Sequence, residues 1–251
     1  MREFVRLVHL EFYKMKHTGF FWLHLFVPVF GILLFLCYYG VSPHRWEGEL
    51  SGYIEVLTTA FPLIISIVCA QNVSHEEGNH FLVFLGMAVK RRNIFTAKWF
   101  VCVFMGLLGT ALAVGGFMAG YSLLLKRVRF DAVLCLNMIL LVWAGSMGMY
   151  FYHVFLNLWK PKSISLCIGA VESVVSALML TGLGDGIWQF LPCAFGGHWT
   201  GYYFRYYLDG RLPAAVSALK GSLLINGTVT AVIALLTLTG FYFYEGRRIN
   251  D

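Results

Sequence analysis

An all-α membrane protein with six transmembrane helices is predicted by three observations. Six stretches of mostly apolar residues, each about 20 long, follow one another with short polar connections. The composition is 59% hydrophobic and 13% charged, with a mean hydropathy of +0.70, where a soluble domain carries roughly a quarter charged residues. The period-two alternation of a membrane barrel is absent. A bilayer core satisfies no backbone groups, so helices that bond internally are the economical way to cross it. No stretch is left over for a soluble domain, and residues 1–251 read as a single transmembrane domain.

Residues 1–19 precede the first span. Phe4, Val5, Val8, Phe12 and Met15 fall within one arc of a helical wheel, and Arg2, Arg6, His9, Lys16 and His17 fall opposite. This predicts an amphipathic helix lying in the membrane interface. Leu10 and Tyr13 interrupt the polar face, which leaves an ordinary tail as the alternative. The first apolar run is too long for the core of a cleavable signal, so it is expected to stay as an anchor.

The spans are expected near residues 20–40, 53–71, 97–121, 133–157, 163–181 and 221–244. Six spans place both termini on one side. Of the 19 Lys and Arg residues, the terminal side holds twelve, including Arg2, Lys14, Lys90, Arg91, Arg92 and Lys98, while Arg45, Lys126, Arg127, Arg129, Arg205, Arg211 and Lys220 fall on the other. The positive-inside bias therefore puts both termini in the cytoplasm. The net charge of +6 is accounted for by topology, and no nucleic-acid partner is expected.

The third span carries Gly109, Ala113, Gly116 and Gly120 at spacings of four, three and four, a small-residue stripe that admits a close helix neighbour. Packing within the chain is preferred over a dimer contact. In the fourth span Gly145, Gly148 and Tyr152 point to a similar seam. Glu172 is the one acid deep in the fifth span, where a charge costs at least about 2.5 kcal/mol unless it faces protein or water. It either lines a path, meets a cation, or is held between helices by hydrogen bonds.

Catalytic chemistry is not expected. The sequence has no GxxxxGK[ST] phosphate loop, no HExxH and no GxSxG. The six cysteines contain no CxxC pair, and five of them, Cys37 to Cys167, come one per span, which fits small packing residues better than a metal or disulfide set. Cys193 alone falls in the outer segment. His24 and His153 lie within spans, where a polar helix contact is the expected role.

The most informative connection is residues 72–96. Its acids Glu76 and Glu77 precede Gly78 and the short apolar ridge of Phe81, Leu82, Phe84 and Leu85, and Lys90, Arg91, Arg92 and Lys98 follow. Such a ridge is too short to span and is suited to a partner protein or the lipid surface. On these residues the connection resembles the coupling loop of ABC-2 type (type V exporter-like) permeases, which seats on a separate ATPase subunit. Gly86-Met87-Ala88 stands where many such permeases have a proline. The opening run Glu11 to Trp22, then Pro28, Ser51-Gly52-Tyr53 and Ala97-Lys98-Trp99, resemble the permeases of lantibiotic-immunity ABC transporters, closer to the G-type subunit, over nearly the full length.

The resemblance implies a bacterial cytoplasmic-membrane exporter that expels a cationic antimicrobial peptide. It further implies a partner ABC ATPase that binds ATP and magnesium, a second related permease forming a heterodimer, and no cofactor in this chain. The expected coupling residues are Glu76, Glu77, Gly78, Phe81, Phe84 and Leu85. Residues 182–220 form a long outer segment rich in amphipathic rings, among them Trp188 and Trp199, suited either to a peptide at the interface or to an aromatic belt. Asp185 and Asp209 are its only acids, and against Arg205, Arg211 and Lys220 the segment is net positive, so charge alone does not argue for cation recognition. An exporter of another drug, peptide or lipid, a secondary transporter, and a non-transporting peptide-binding immunity protein are the competing classes.

Overall fold

The computed structural model describes residues 2–16, 18–77, 90–210 and 213–243, with the side chain of Glu77 left out. Eight helices account for most of it. Helix α1 is Arg2–Met15, α2 Phe20–Val41, α3 Trp46–Glu77, α4 Arg91–Leu125, α5 Ala132–Trp159, α6 Lys162–Met179, α7 Phe195–Leu208 and α8 Pro213–Tyr242. Six of these, α2 to α6 and α8, are long and apolar enough to cross a membrane. Three short 3₁₀ turns, Gly182–Gly184, Trp188–Phe190 and Pro192–Ala194, link α6 to α7.

Each expected span falls on one of these six helices, and most of the helices are longer than the span, although Lys162–Met179 and Pro213–Tyr242 each end two residues short of it. Residues 72–77 and 91–96, assigned to the connection from sequence, are helical continuations of α3 and α4. The last span begins at Pro213, inside the segment expected to be outer. Polar residues extend a helix past the bilayer where neighbouring helices cover them, which a hydropathy window does not register. Of the residues expected from sequence to couple to an ATPase, Gly78, Phe81, Phe84 and Leu85 lie outside the described residues.

Helix α3 is the centre of the bundle. Over half of its most apolar window, 56%, is buried, against 11% for α2 and for α8, which are peripheral. It packs against α6, α5, α7 and α2. Pro62 interrupts the α3 ladder, and Ser173 of α6 accepts from the backbone N–H of Leu63 at 3.2 Å. Gly169 of α6 sits against Ser66 with no room for a Cβ.

Helix α4 contains two π-helical turns, Ala111–Gly115 and Tyr121–Leu125. Such turns break the regular bond ladder, and in the first the Ala113 carbonyl accepts from the buried Tyr53 hydroxyl at 2.9 Å. Tyr53 also stacks on Phe117 with ring centroids 3.9 Å apart.

The small-residue stripe of α4 meets α2. A Cβ at Gly109 would lie 3.5 Å from His24, one at Gly116 2.7 Å from Ile32, and one at Gly120 2.6 Å from Leu36. The seam is thus intramolecular. In α5, a Cβ at Gly145 would fall 2.6 Å from the backbone nitrogen of Gly196, which brings the start of α7 into backbone contact with α5.

Of the cysteines, Cys69, Cys102 and Cys193 are buried, Cys135 is half-buried, and Cys37 and Cys167 lie on the surface of the bundle. Cys193, in the segment between α6 and α7, is buried because that segment folds back on the helices.

Candidate functional site

Three polar constellations stand out along the bundle. The first lies where α1, the end of α3 and the start of α4 meet. Its centre is Lys98, fully buried, whose Nζ lies 2.7 Å from Glu11 Oε2 and 3.0 Å from Glu76 Oε1. Lys14 bridges the same two acids at 3.0 and 2.7 Å. Glu11 and Glu76 are only 2% and 3% exposed, so two cations and two carboxylates form a charge-balanced cluster with almost no water. Buried charges persist only when paired in this way.

From sequence, Lys98 counts among the cations on the side of the termini, and α1 reads as an amphipathic helix in the membrane interface. The structure buries Lys98 and packs one face of α1 against α4. Helix α1 packs through Leu7, Glu11 and Met15, four residues apart on one face, while Val5 is 61% exposed. Phe4 and Phe12 pack edge-on against Phe100 and Phe104 of α4. Spacing of Glu11 between Leu7 and Met15 was the available signal, because an acid at i+4 between apolar residues demands a buried partner.

Glu172 anchors the second constellation, between α5 and α6. The hydroxyl of Tyr152 donates to Glu172 Oε1. His153 Nε2 lies 3.0 Å from Glu172 Oε2, its Nδ1 lies 2.9 Å from Ser165 Oγ, and Asn157 Nδ2 donates to that same Ser165 oxygen at 2.9 Å. With Nε2–H donating to the carboxylate, Nδ1 accepts from the Ser165 hydroxyl and every bond in the chain has one donor and one acceptor. His153 is fully buried and Glu172 is 20% exposed. Of the three roles open from sequence, the structure places Glu172 in hydrogen-bonded contact between helices. Tyr152 and His153, read only as packing and polar-contact residues, are its donors.

The third constellation is the cap formed by residues 180–210 at the end of the bundle opposite the termini. Trp188 and Trp199 are buried at 3% and 5% exposure. Trp188 stacks on His198 at 3.9 Å, and Trp199 Nε1 donates to Asn226 of α8 at 2.8 Å. Asn226 in turn donates to the Gln189 carbonyl at 2.6 Å, and Ser176 of α6 donates to the Cys193 carbonyl at 2.9 Å. Both tryptophans therefore brace the cap from inside and present no ring to the surroundings, whereas Asp185 and Asp209 are exposed. His198 Nε2–H donates to the Met179 carbonyl at 2.8 Å, and burial pushes its imidazole below the ordinary value.

Glu49 closes the same end of the bundle. Its carboxylate is fully buried and accepts from Arg127 Nη1 at 2.9 and 3.2 Å, from the His44 backbone N–H at 2.6 Å and from the Tyr121 hydroxyl. Arg127 Nη2 also donates to the Tyr39 carbonyl at 3.0 Å. One arginine thus ties α2, α3 and the end of α4. Among the described residues no group of three His, Cys, Asp or Glu side chains is placed to hold a metal ion.

Residues 7–176 match the family described as ABC-2 family transporter protein, which is more than half of the chain. The chain belongs to that family. Membership makes it a multi-pass membrane component of a transporter, distinct from the catalytic subunit, and implies an ABC ATPase partner. No curated protein and no solved structure is detectably similar to the chain.

Proposed function

We propose that this chain is one permease subunit of an ATP-driven exporter that expels a lantibiotic-type antimicrobial peptide from the membrane, giving immunity. In this reading a second related permease completes a heterodimer in the bacterial cytoplasmic membrane, both termini are cytoplasmic, and the partner ATPase binds ATP and magnesium. Residues 76–85 receive the motion of the ATPase.

The observation that carries the coupling assignment is the buried cluster of Glu11, Lys14, Glu76 and Lys98. Glu76 stands in the last turn of α3, which ends at Glu77. A displacement entering there moves a carboxylate that is ion-paired to α1 and to α4 at once. Separating those charges inside a water-poor contact is expensive, so the three helices move together. Nucleotide-driven closure of the ATPases then shifts the permease between two packed arrangements.

The peptide cargo rests on the resemblance of the opening run and of Ser51-Gly52-Tyr53 to lantibiotic-immunity permeases. The test is to purify the tagged chain from its native cells in mild detergent, identify its companions by mass spectrometry and measure ATP hydrolysis. An ATPase and a second six-span permease are expected, with peptide resistance lost in Glu77→Ala and Phe84→Ala while membrane insertion is normal. A lone, ATP-silent chain, or full resistance in both variants, overturns the reading.

A further inference from the structure

A half-open cavity of about 380 Å³ lies at the cap end, between the start of α3, the turn after α6 and one face of α7. Helix α7 meets it with Gly197 and Gly201, and a Cβ at Gly201 would find nothing within 4 Å, so the space there is open. Three exposed charged residues line it: Glu55 from α3, Asp185 from the turn and Arg205 from α7. Glu55 uses Oε1 to accept from Ser51 at 2.8 Å. Among the described residues, the side chains of Asp185 and Arg205 make no hydrogen bond or ion pair. Their charges oppose each other at His198, the ring that Trp188 stacks in place.

The ligand chemistry follows from the signs. A polycation meets Arg205, and a purely anionic group meets two carboxylates, whereas a molecule bearing a phosphate and an ammonium close together finds partners for both. The surroundings indicate where such a molecule comes from. Leu183, Ile187 and Phe190, on the same turn as Asp185, are 71%, 56% and 62% exposed immediately after α6 ends, a pattern that belongs at the boundary between hydrocarbon and headgroups.

We infer that this cavity is a headgroup site for a zwitterionic phospholipid carrying a primary ammonium, with the phosphate against Arg205 and the ammonium between Glu55 and Asp185. A primary ammonium has three N–H donors to share between the two carboxylates, and a quaternary one has none. The site is independent of the cargo and of which partners assemble with the chain.

The test is native mass spectrometry of the purified protein, with whatever subunits accompany it, titrated with phosphatidylethanolamine, phosphatidylcholine and phosphatidylglycerol of identical acyl chains. Phosphatidylethanolamine is expected to be retained at roughly fivefold lower concentration than either of the others, the gain of one part-exposed ion pair. That preference is expected to vanish in Glu55→Gln/Asp185→Asn and in Arg205→Gln, whose lipid-free melting stays at the wild-type value. Gly201→Leu, which fills the space without adding or removing a charge, is expected to lose it as well. Equal retention of the three lipids by the wild type, or an undiminished preference in the variants, overturns the inference. Displacement of the lipid by a lysine-rich peptide at equal concentration overturns it too and assigns the cavity to cargo.

Discussion

Lys98 has two carboxylates within 3.0 Å and no exposed surface, so its removal leaves Glu11 and Glu76 as buried anions with only Lys14 between them. Lys98→Met is expected to lose about 3–5 kcal/mol of stability, read as a lower melting temperature in detergent. Glu11→Leu/Lys98→Met, which keeps the Lys14–Glu76 pair at 2.7 Å, is expected to recover most of that loss. A Lys98→Met protein that melts like the wild type contradicts the cluster. Glu172 accepts from two donors, and glutamine offers a single acceptor oxygen. Glu172→Gln is therefore expected to cost about 1–3 kcal/mol with normal insertion; lost resistance at unchanged melting instead assigns Glu172 to the transport path.

His198 gives a pH dependence with a defined sign. Burial lowers its proton affinity, the hydrogen bond to the Met179 carbonyl and the charge of Asp185 only partly offsetting this, so the unfolded chain, with the ordinary value of 6.5, takes up the proton first. Stability is then flat above about pH 6.5 and falls as the pH drops from there towards the folded value. Melting curves between pH 8 and pH 5 are expected to show this slope, and His198→Gln is expected to flatten it.

Among the elements, two helix contacts made through glycine differ in what stands opposite. At Gly145 the neighbour is the backbone of α7, with Gly196 N at 2.6 Å and Cα at 2.8 Å from a built Cβ. At Gly120 it is the end of the Leu36 side chain at 2.6 Å, which rotates away cheaply. Gly145→Ala is expected to cost about 1–3 kcal/mol through overpacking and to loosen the cap, while Gly120→Ala stays within about 1 kcal/mol. Melting temperatures of the two variants, measured side by side, check the contrast; equal losses refute it.

At the scale of the whole molecule, the six spans and α1 form one bundle held at its two ends by charge and in its middle by packing. The Glu11–Lys14–Glu76–Lys98 cluster secures one end and Glu49 with Arg127 the other. Peripheral α2 and α8 leave most of their apolar surface uncovered by the rest of the described chain. Single cysteines at exposed positions 16 and 209, in a variant whose six native cysteines are replaced by alanine or serine, are expected to react with impermeant thiol reagents from opposite sides of the membrane, position 209 from outside. Labelling of position 16 from outside, or of both from one side, refutes the orientation proposed for the termini.

The sequence by itself determined the class of fold and the number of spans, because hydropathy over about 20 residues is a local property that the bilayer enforces on each helix separately. It also marked Glu172 as a residue needing partners, since a lone intramembrane acid is conspicuous on cost alone. It did not reveal which partners: Tyr152, His153, Ser165 and Asn157 lie on two helices, and only their packing brings the groups into reach. The same holds for Lys98 and Arg127, which read as interface cations along the chain. Their burial was decided in three dimensions, where α1 covers Lys98 and the end of α4 turns Arg127 back onto Glu49. Charge signs and spacing are written in one dimension, whereas desolvation and pairing depend on which helices meet.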